Sequence, residues 1–246
     1  MPETVVWISG ASSGIGAALA AAVPFVDAQV VNLSRSPGPP GTLHVPVDLT
    51  ERASWDVVEE DFVTRLTDDQ VRQAVFVHCA GTIEPIGFAG EVASPEYQHN
   101  VVLNAAVPLT LGHAFLRAVQ SFQGRADLYL LSSGAATRAY PGWSSYCAGK
   151  AAVDHWVRTV GEEQRLRAAD GRPSCRVLAV APGVVETPMQ ERIRQTDAAA
   201  FPAVGKFVDL HDQGELRNPE VVARQLWSLS DRDLETGTVL DLRTVA

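Results

Sequence analysis

The chain has 246 residues, 46% of them apolar and 20% charged, with a formal net charge of -9 and no basic block. That profile predicts a globular protein with a sizeable core, and it excludes long disorder and the positive footprint that nucleic acid or a polyanionic surface would need. Three cysteines, Cys79, Cys147 and Cys175, form an odd set without metal-ligand spacing, so reduced thiols, a cytoplasmic setting, no disulfide and no metal site are expected.

In chain order, strands are predicted over 4–9, 29–33, 43–47, 74–78, 127–132, 175–181 and 238–242. Helices are predicted over 14–23, 54–66, 101–122, 144–168 and 219–229. Several strands (VVWIS, AVFVH, LYLLS, RVLAV) are apolar throughout, the pattern of a parallel sheet covered on both faces. Strands alternating with helices give an α/β fold, a Rossmann-type doubly wound sheet of about seven parallel strands. No internal repeat or domain linker interrupts the chain, so residues 1–246 are expected to form one domain; SPGPPG at 36–41 reads as a turn. The irregular segment 187–217 is long for a connection and is expected to be a substrate lid. Nothing at the N-terminus reads as a targeting leader, and no stretch reaches the ~18 apolar residues of a membrane span, so no membrane association is expected.

The first strand runs into Gly10-Ala11-Ser12-Ser13-Gly14-Ile15-Gly16 and then AALAAAV. Glycines permit a sharp turn and close approach of backbone to a pyrophosphate, whose charge the following helix N-terminus stabilises. Such a turn can also reflect nothing more than close helix–strand packing. Further on stands Tyr146-Cys147-Ala148-Gly149-Lys150, preceded by Ser133. Residues four apart on a helix share a face, so Tyr146 and Lys150 can point into one site. A phenol with pKa near ~10 must shift by roughly 3 units to exchange protons near neutrality, and a neighbouring ammonium has the right sign. Ser133, just past the fifth strand, can polarise a substrate oxygen. Each residue has a plainer alternative: a half-buried aromatic, a solvated charge, a helix cap.

The glycine spacing, the Tyr-x-x-x-Lys pair and the serine together resemble the short-chain dehydrogenase/reductase superfamily. The resemblance implies a catalytic set of Asn104, Ser133, Tyr146 and Lys150, with Asn104 holding a water that links the lysine to solvent. It implies nicotinamide-cofactor contacts from Gly10, Ser12, Ser13, Gly14, Ile15 and Gly16 in the loop, from Ser34 and Arg35 after the second strand, and from Asp48 and Leu49 after the third. Cys79, Ala80 and Gly81 would follow, then Asn104, Tyr146 and Lys150, and finally Pro182, Gly183, Val185 and Thr187.

Arg35, without an acid beside it, points to the 2'-phosphate of NADP(H) over the free ribose of NAD, although an arginine at a turn can also be merely exposed and the glycine loop carries Ser13 where many NADP-using relatives have a base. Asp48 can equally cap a helix. Where relatives read Asn-Asn-Ala-Gly, this chain reads His78-Cys79-Ala80-Gly81, and His78 is expected to be a satisfied core histidine without chemistry.

The stretches SSGAATRAYPGWSSYCAGKAAVDHW and PGVVETPMQERIR look like the sepiapterin reductase-like branch, and within it the benzil reductases. That implies reduction of one carbonyl of an aromatic 1,2-diketone to an S-hydroxyketone. Ser133, Trp143, Tyr146 and Met189 would touch substrate, Trp143 as an aromatic wall and Met189 as an adaptable lid contact, unless these two are simply core. A homodimer or homotetramer through the helices carrying Asn104 and Tyr146 is also implied. Two other readings stay open: an NAD-dependent alcohol dehydrogenase, and a non-catalytic NADP(H)-sensing regulator.

Overall fold

The computed structural model describes residues 2–245. Its strands are β1 Thr4–Ser9, β2 Ala28–Ser34, β3 Leu43–Pro46, β4 Gln73–His78, β5 Arg125–Leu131, β6 Arg176–Ala181 and β7 Val239–Asp241. They form one seven-stranded sheet in the order β3-β2-β1-β4-β5-β6-β7, parallel at every pairing. Strand order reverses between β1 and β4, which opens a crevice beyond their carboxyl ends, where ligands bind in such sheets. The register sets Ser9, at the rim of that crevice, beside both Leu33 and His78.

Alternation along β1 builds the two faces. Val5 and Trp7 enter one core with Phe62, Phe76 and Phe115, while Val6 and Ile8 enter the other with Leu19, Tyr129, Leu226 and Trp227. Trp7 meets Phe62 edge-on at 5.2 Å, and each fully buried aromatic of this kind stabilises the fold by about 2–3 kcal/mol. The first face is covered by α2 Arg52–Leu66, α4 Val107–Ala118 and α5 Ser144–Ala169, the second by α1 Gly14–Ala21 and α8 Pro219–Ser228. Strand and helix positions agree with the sequence reading to within about two residues, with two exceptions.

The helix expected over 101–122 starts earlier, with α3 Ser94–Val101, where Pro95 fills the first turn, and passes through a π turn, Val102–Ala106, into α4. Its polar opening hides the helical period. The continuous run Ser94–Ala118 has the length and apolar composition of a membrane-crossing helix, which corrects the expectation that no such stretch exists. Its buried Asn100 and Asn104, bonded to the carbonyls of Glu84 and Thr82, fit it to the loop after β4. Segment 187–217, expected to be irregular, contains two short helices, α6 Pro188–Arg194 and α7 Val204–Asp212. Thr187 caps the first through its side chain, which accepts from the Gln190 amide.

Candidate active site and cofactor cleft

The loop between β1 and α1 is held by backbone contact too close for side chains. Gly10 has φ +70°, and a Cβ there would meet the Ala80 backbone at 3.0 Å; a Cβ on Gly16 would lie 2.3 Å from the Gly10 carbonyl oxygen. Glycine is therefore dictated at both positions. Ser13 precedes α1 in extended conformation and makes no side-chain cap, so the first-turn amides have no side-chain partner from it. This is the arrangement that receives a phosphate.

The loop forms one wall of a cleft of about 490 Å³ that also takes in Ser34, Arg35, Asp48, Leu49, Cys79, Ala80, Gly81 and Thr187. Ser12, Ser13, Gly14 and Ile15 line it as well. At the far end Arg35 lies 3.9 Å from Asp48, a long and exposed pair of little energetic weight. Asp48 accepts from both the amide and the hydroxyl of Thr50, at 3.0 and 2.7 Å. The Thr50 hydroxyl in particular holds its carboxyl below the usual value. It does not cap α2, a place Glu51 takes.

A second cavity of about 170 Å³ adjoins the cleft, with Ile15, Ile83, Thr187 and Met189 common to both. Ser133, Trp143, Tyr146, Pro182, Gly183 and Val185 line it. Asn104 and Lys150 line neither cavity; they stand behind Gly81, whose Cβ would sit 2.9 Å from Asn104 Oδ1 and 3.9 Å from Lys150 Nζ. Asn104 receives the Thr82 amide and donates to the Thr82 carbonyl and to Asn100, so the π turn that carries it is tied to the loop after β4.

Ser133 caps a short turn, its hydroxyl accepting from the Ala135 amide, and lines the same cavity wall as Tyr146. Cap and candidate catalyst are thus the same group. Burial raises the Tyr146 pKa, with the nearby Ser133 hydroxyl working against it. Lys150, 5.7 Å from the Tyr146 ring centroid, is buried and drawn down to about 8, chiefly by desolvation, with Cys79 and Asp154 opposing. The expected downward pull of the lysine on the phenol is therefore not found in the protein alone: desolvation wins, and the phenol is held protonated.

Trp143 stacks on Phe201 at 4.2 Å and 13° and packs against Tyr146 at 5.8 Å, so it is both core and cavity wall. Met189 lines both cavities from α6. Cys79 lies in the cleft with its thiol pushed up to about 12 by burial, which leaves it inert.

His78 is only half satisfied, which corrects the sequence reading. Ser9 Oγ accepts from the amides of Cys79 and Ala80, so its proton goes to His78 Nδ1 at 2.9 Å. The ring proton is then on Nε2, which is buried without a partner. Burial lowers this histidine to about 3, aided by Lys150.

Three contributors escaped the sequence reading. Asp154 binds the Ser132 hydroxyl beside Lys150, Asn100 braces Asn104, and Thr82 holds Asn104 from the loop after β4. The first two were detectable by helical spacing, four residues from Lys150 and from Asn104. Thr82 carried no signal, since its role depends on a tertiary contact.

Residues 4–198 match the family described as short chain dehydrogenase. The chain is 31% identical over 239 residues to a benzil reductase ((S)-benzoin forming) of Bacillus subtilis, covering 96% of this chain and 97% of that protein. It is 30% identical to a sepiapterin reductase of Rattus norvegicus, covering 70% and 64% of the two chains. The solved structure of the YIR035C short chain dehydrogenase/reductase of Saccharomyces cerevisiae superposes with a TM-score of 0.81 at 22% identity, over 97% of this chain and 96% of that one. The chain belongs to the short-chain dehydrogenase family of oxidoreductases, which work with a nicotinamide cofactor.

Proposed function

We propose that this protein is an NADPH-dependent carbonyl reductase that converts one carbonyl of an aromatic 1,2-diketone to an S-hydroxyketone. The observation that carries the reading is that Ser133 and a buried, protonated Tyr146 line one cavity that opens onto the glycine-walled cleft. Reduced nicotinamide supplies the hydride. Ser133 orients the substrate oxygen, and Tyr146 donates its proton to that oxygen as charge develops there. Lys150 and Asn104, behind Gly81, restore the phenol proton from solvent through a water held by Asn104. The name of the Bacillus subtilis relative supports the diketone and its handedness.

NADP is favoured over NAD because Arg35 lines the cleft with only a long contact to Asp48, leaving its guanidinium able to take a 2'-phosphate. Segment 187–217 acts as the lid of a single domain, since α6 brings Met189 and Gln190, and α7 brings Lys206 and Phe207, to the substrate cavity. Assembly as a homodimer or homotetramer through α4 and α5, in the cytoplasm and without membrane or nucleic acid, completes the reading.

The test is NADPH oxidation with benzil and with 1-phenylpropane-1,2-dione, for the wild type and Tyr146→Phe, together with dissociation constants for NADP and NAD and their change in Arg35→Ala. Absence of turnover with any carbonyl would overturn the enzymatic reading. Equal binding of the two cofactors, unmoved by Arg35→Ala, would return the chain to an NAD-dependent alcohol dehydrogenase.

A further inference from the structure

The wall of the smaller cavity carries charge that ketone reduction does not require. Arg138, Lys206 and Arg243 line it, and no aspartate or glutamate does, in a chain of net charge -9. The cofactor phosphates do not account for these cations, because the glycine loop and Arg35 line the other cleft and none of the three does. Asp241 engages Arg243 through both its carboxylate oxygens. Arg138 and Lys206, in contrast, pair with none of the described carboxylates. Lys206 Nζ donates to the Tyr140 hydroxyl at 2.9 Å, which leaves N–H donors over on an ammonium that has three.

A second observation points the same way. Trp143 Nε1 and Gln190 Nε2, both buried on residues of this wall, have no hydrogen-bond partner. The Gln190 amide is oriented by Arg194, which donates to its Oε1 at 2.6 Å and, as a guanidinium, accepts nothing. Its NH2 is therefore the end left over. The uncommitted polar groups are then donors or cations, set among Tyr140, Trp143 and Phe207, and their complement is a ligand that is apolar on one side and oxygen-rich and anionic on the other. At about 170 Å³ the cavity falls below the roughly 300–1,000 Å³ of pockets for drug-sized ligands, so the anion and the reacting carbonyl must be close together. Arg138, moreover, lies two residues beyond the turn Gly134–Ala136 that Ser133 caps.

We propose that the preferred substrate is a small 2-oxo acid with an apolar or aromatic side, its carboxylate taking the place of the second carbonyl of a diketone, and that Arg138 and Lys206 determine this preference. The inference rests on the reductase reading given above. The ketone carbon gains the hydride of reduced nicotinamide and the ketone oxygen gains the Tyr146 proton, so that a 2-hydroxy acid and oxidised nicotinamide result. The carboxylate is unchanged.

Phenylglyoxylate and 1-phenylpropane-1,2-dione differ by a carboxylate oxygen in place of a methyl group and so isolate the charge. Their kcat/KM values, and their dissociation constants in the non-reactive complex with oxidised NADP, are to be measured at low and high salt for the wild type and for R138Q/K206Q. The acid is expected to bind more tightly and react more efficiently than the dione, and the acid-to-dione ratio to fall by about tenfold in the double variant, and to fall again with salt. A wild type that reduces the dione but shows no preference for the acid, or a ratio unmoved by the double substitution, overturns the inference and leaves the reductase standing. Reduction of neither compound overturns both.

Discussion

Lys150 reaches from α5 to the end of β5, where its Nζ donates a 2.8 Å hydrogen bond to the Leu131 carbonyl. The contact ties the helix that bears Tyr146 to the strand that leads into Ser133, so hydroxyl and phenol are positioned by one cross-link. It also consumes a donor of a buried ammonium whose desolvation is unfavourable.

That burial has a pH signature. The folded-state pKa of Lys150, about 8, lies below its ordinary 10.5. Between these values the unfolded chain holds a proton that the folded one has released, so stability rises with pH across the window and is lost again as pH falls through about 8. The gain attributable to Lys150 is on the order of 3 kcal/mol. Denaturant unfolding of Lys150→Met, set against the wild type from pH 8 to 10.5, is expected to lack this rise.

Tyr146→Phe keeps the ring packed against Trp143 while removing the proton donor. We expect kcat to drop by between about 100- and 10,000-fold with little change in KM or thermal midpoint. Because burial favours the protonated phenol, alcohol oxidation by the wild type should climb with pH, whereas ketone reduction should not.

His78→Asn probes the acid side. A histidine at about 3 in the fold and 6.5 when free binds its proton only in the unfolded chain over that interval, so the wild type loses stability as pH falls from 6.5 towards 3. With asparagine in place the loss attributable to this group should vanish, while the Ser9 hydroxyl retains an acceptor. Unfolding curves at pH 4.5 and pH 7 would read the difference; an unchanged acid limb would rule the histidine out as its source.

Gly16→Ala places a methyl group 2.3 Å from the Gly10 carbonyl, and the loop must move to accept it. Misplacement on this scale should lower kcat/KM by about 100-fold. Gly205→Ala, where a Cβ meets nothing within 4 Å, should leave the thermal midpoint unchanged or slightly raised.

The parallel sheet was readable because its strands are apolar on both sides, and the glycine loop and the Tyr146–Lys150 pair because their geometry is local. The rest depends on packing between distant segments. Arg138 and Lys206 come to one cavity from opposite sides of α5 in the chain, and nothing near either residue announces it. α6 and α7 were missed because a helix of two turns leaves almost no periodic trace. The Tyr146 shift ran opposite to the expectation because a charge neighbour is visible in a motif and the depth of burial is not.

The π turn at Val102–Ala106 gives the helix of Asn104 a built-in phase offset. An ordinary α-helix advances by about 100° per residue, so deleting one residue there to regularise the helix would swing everything before it by roughly that angle relative to α4. Asn104 would part from Thr82, and Asn100 from Glu84, although no side chain in the cavity had been altered. For anyone redesigning this scaffold, the irregular turn is a dial that sets the azimuth of the site, and straightening it amounts to an active-site mutation made in the backbone.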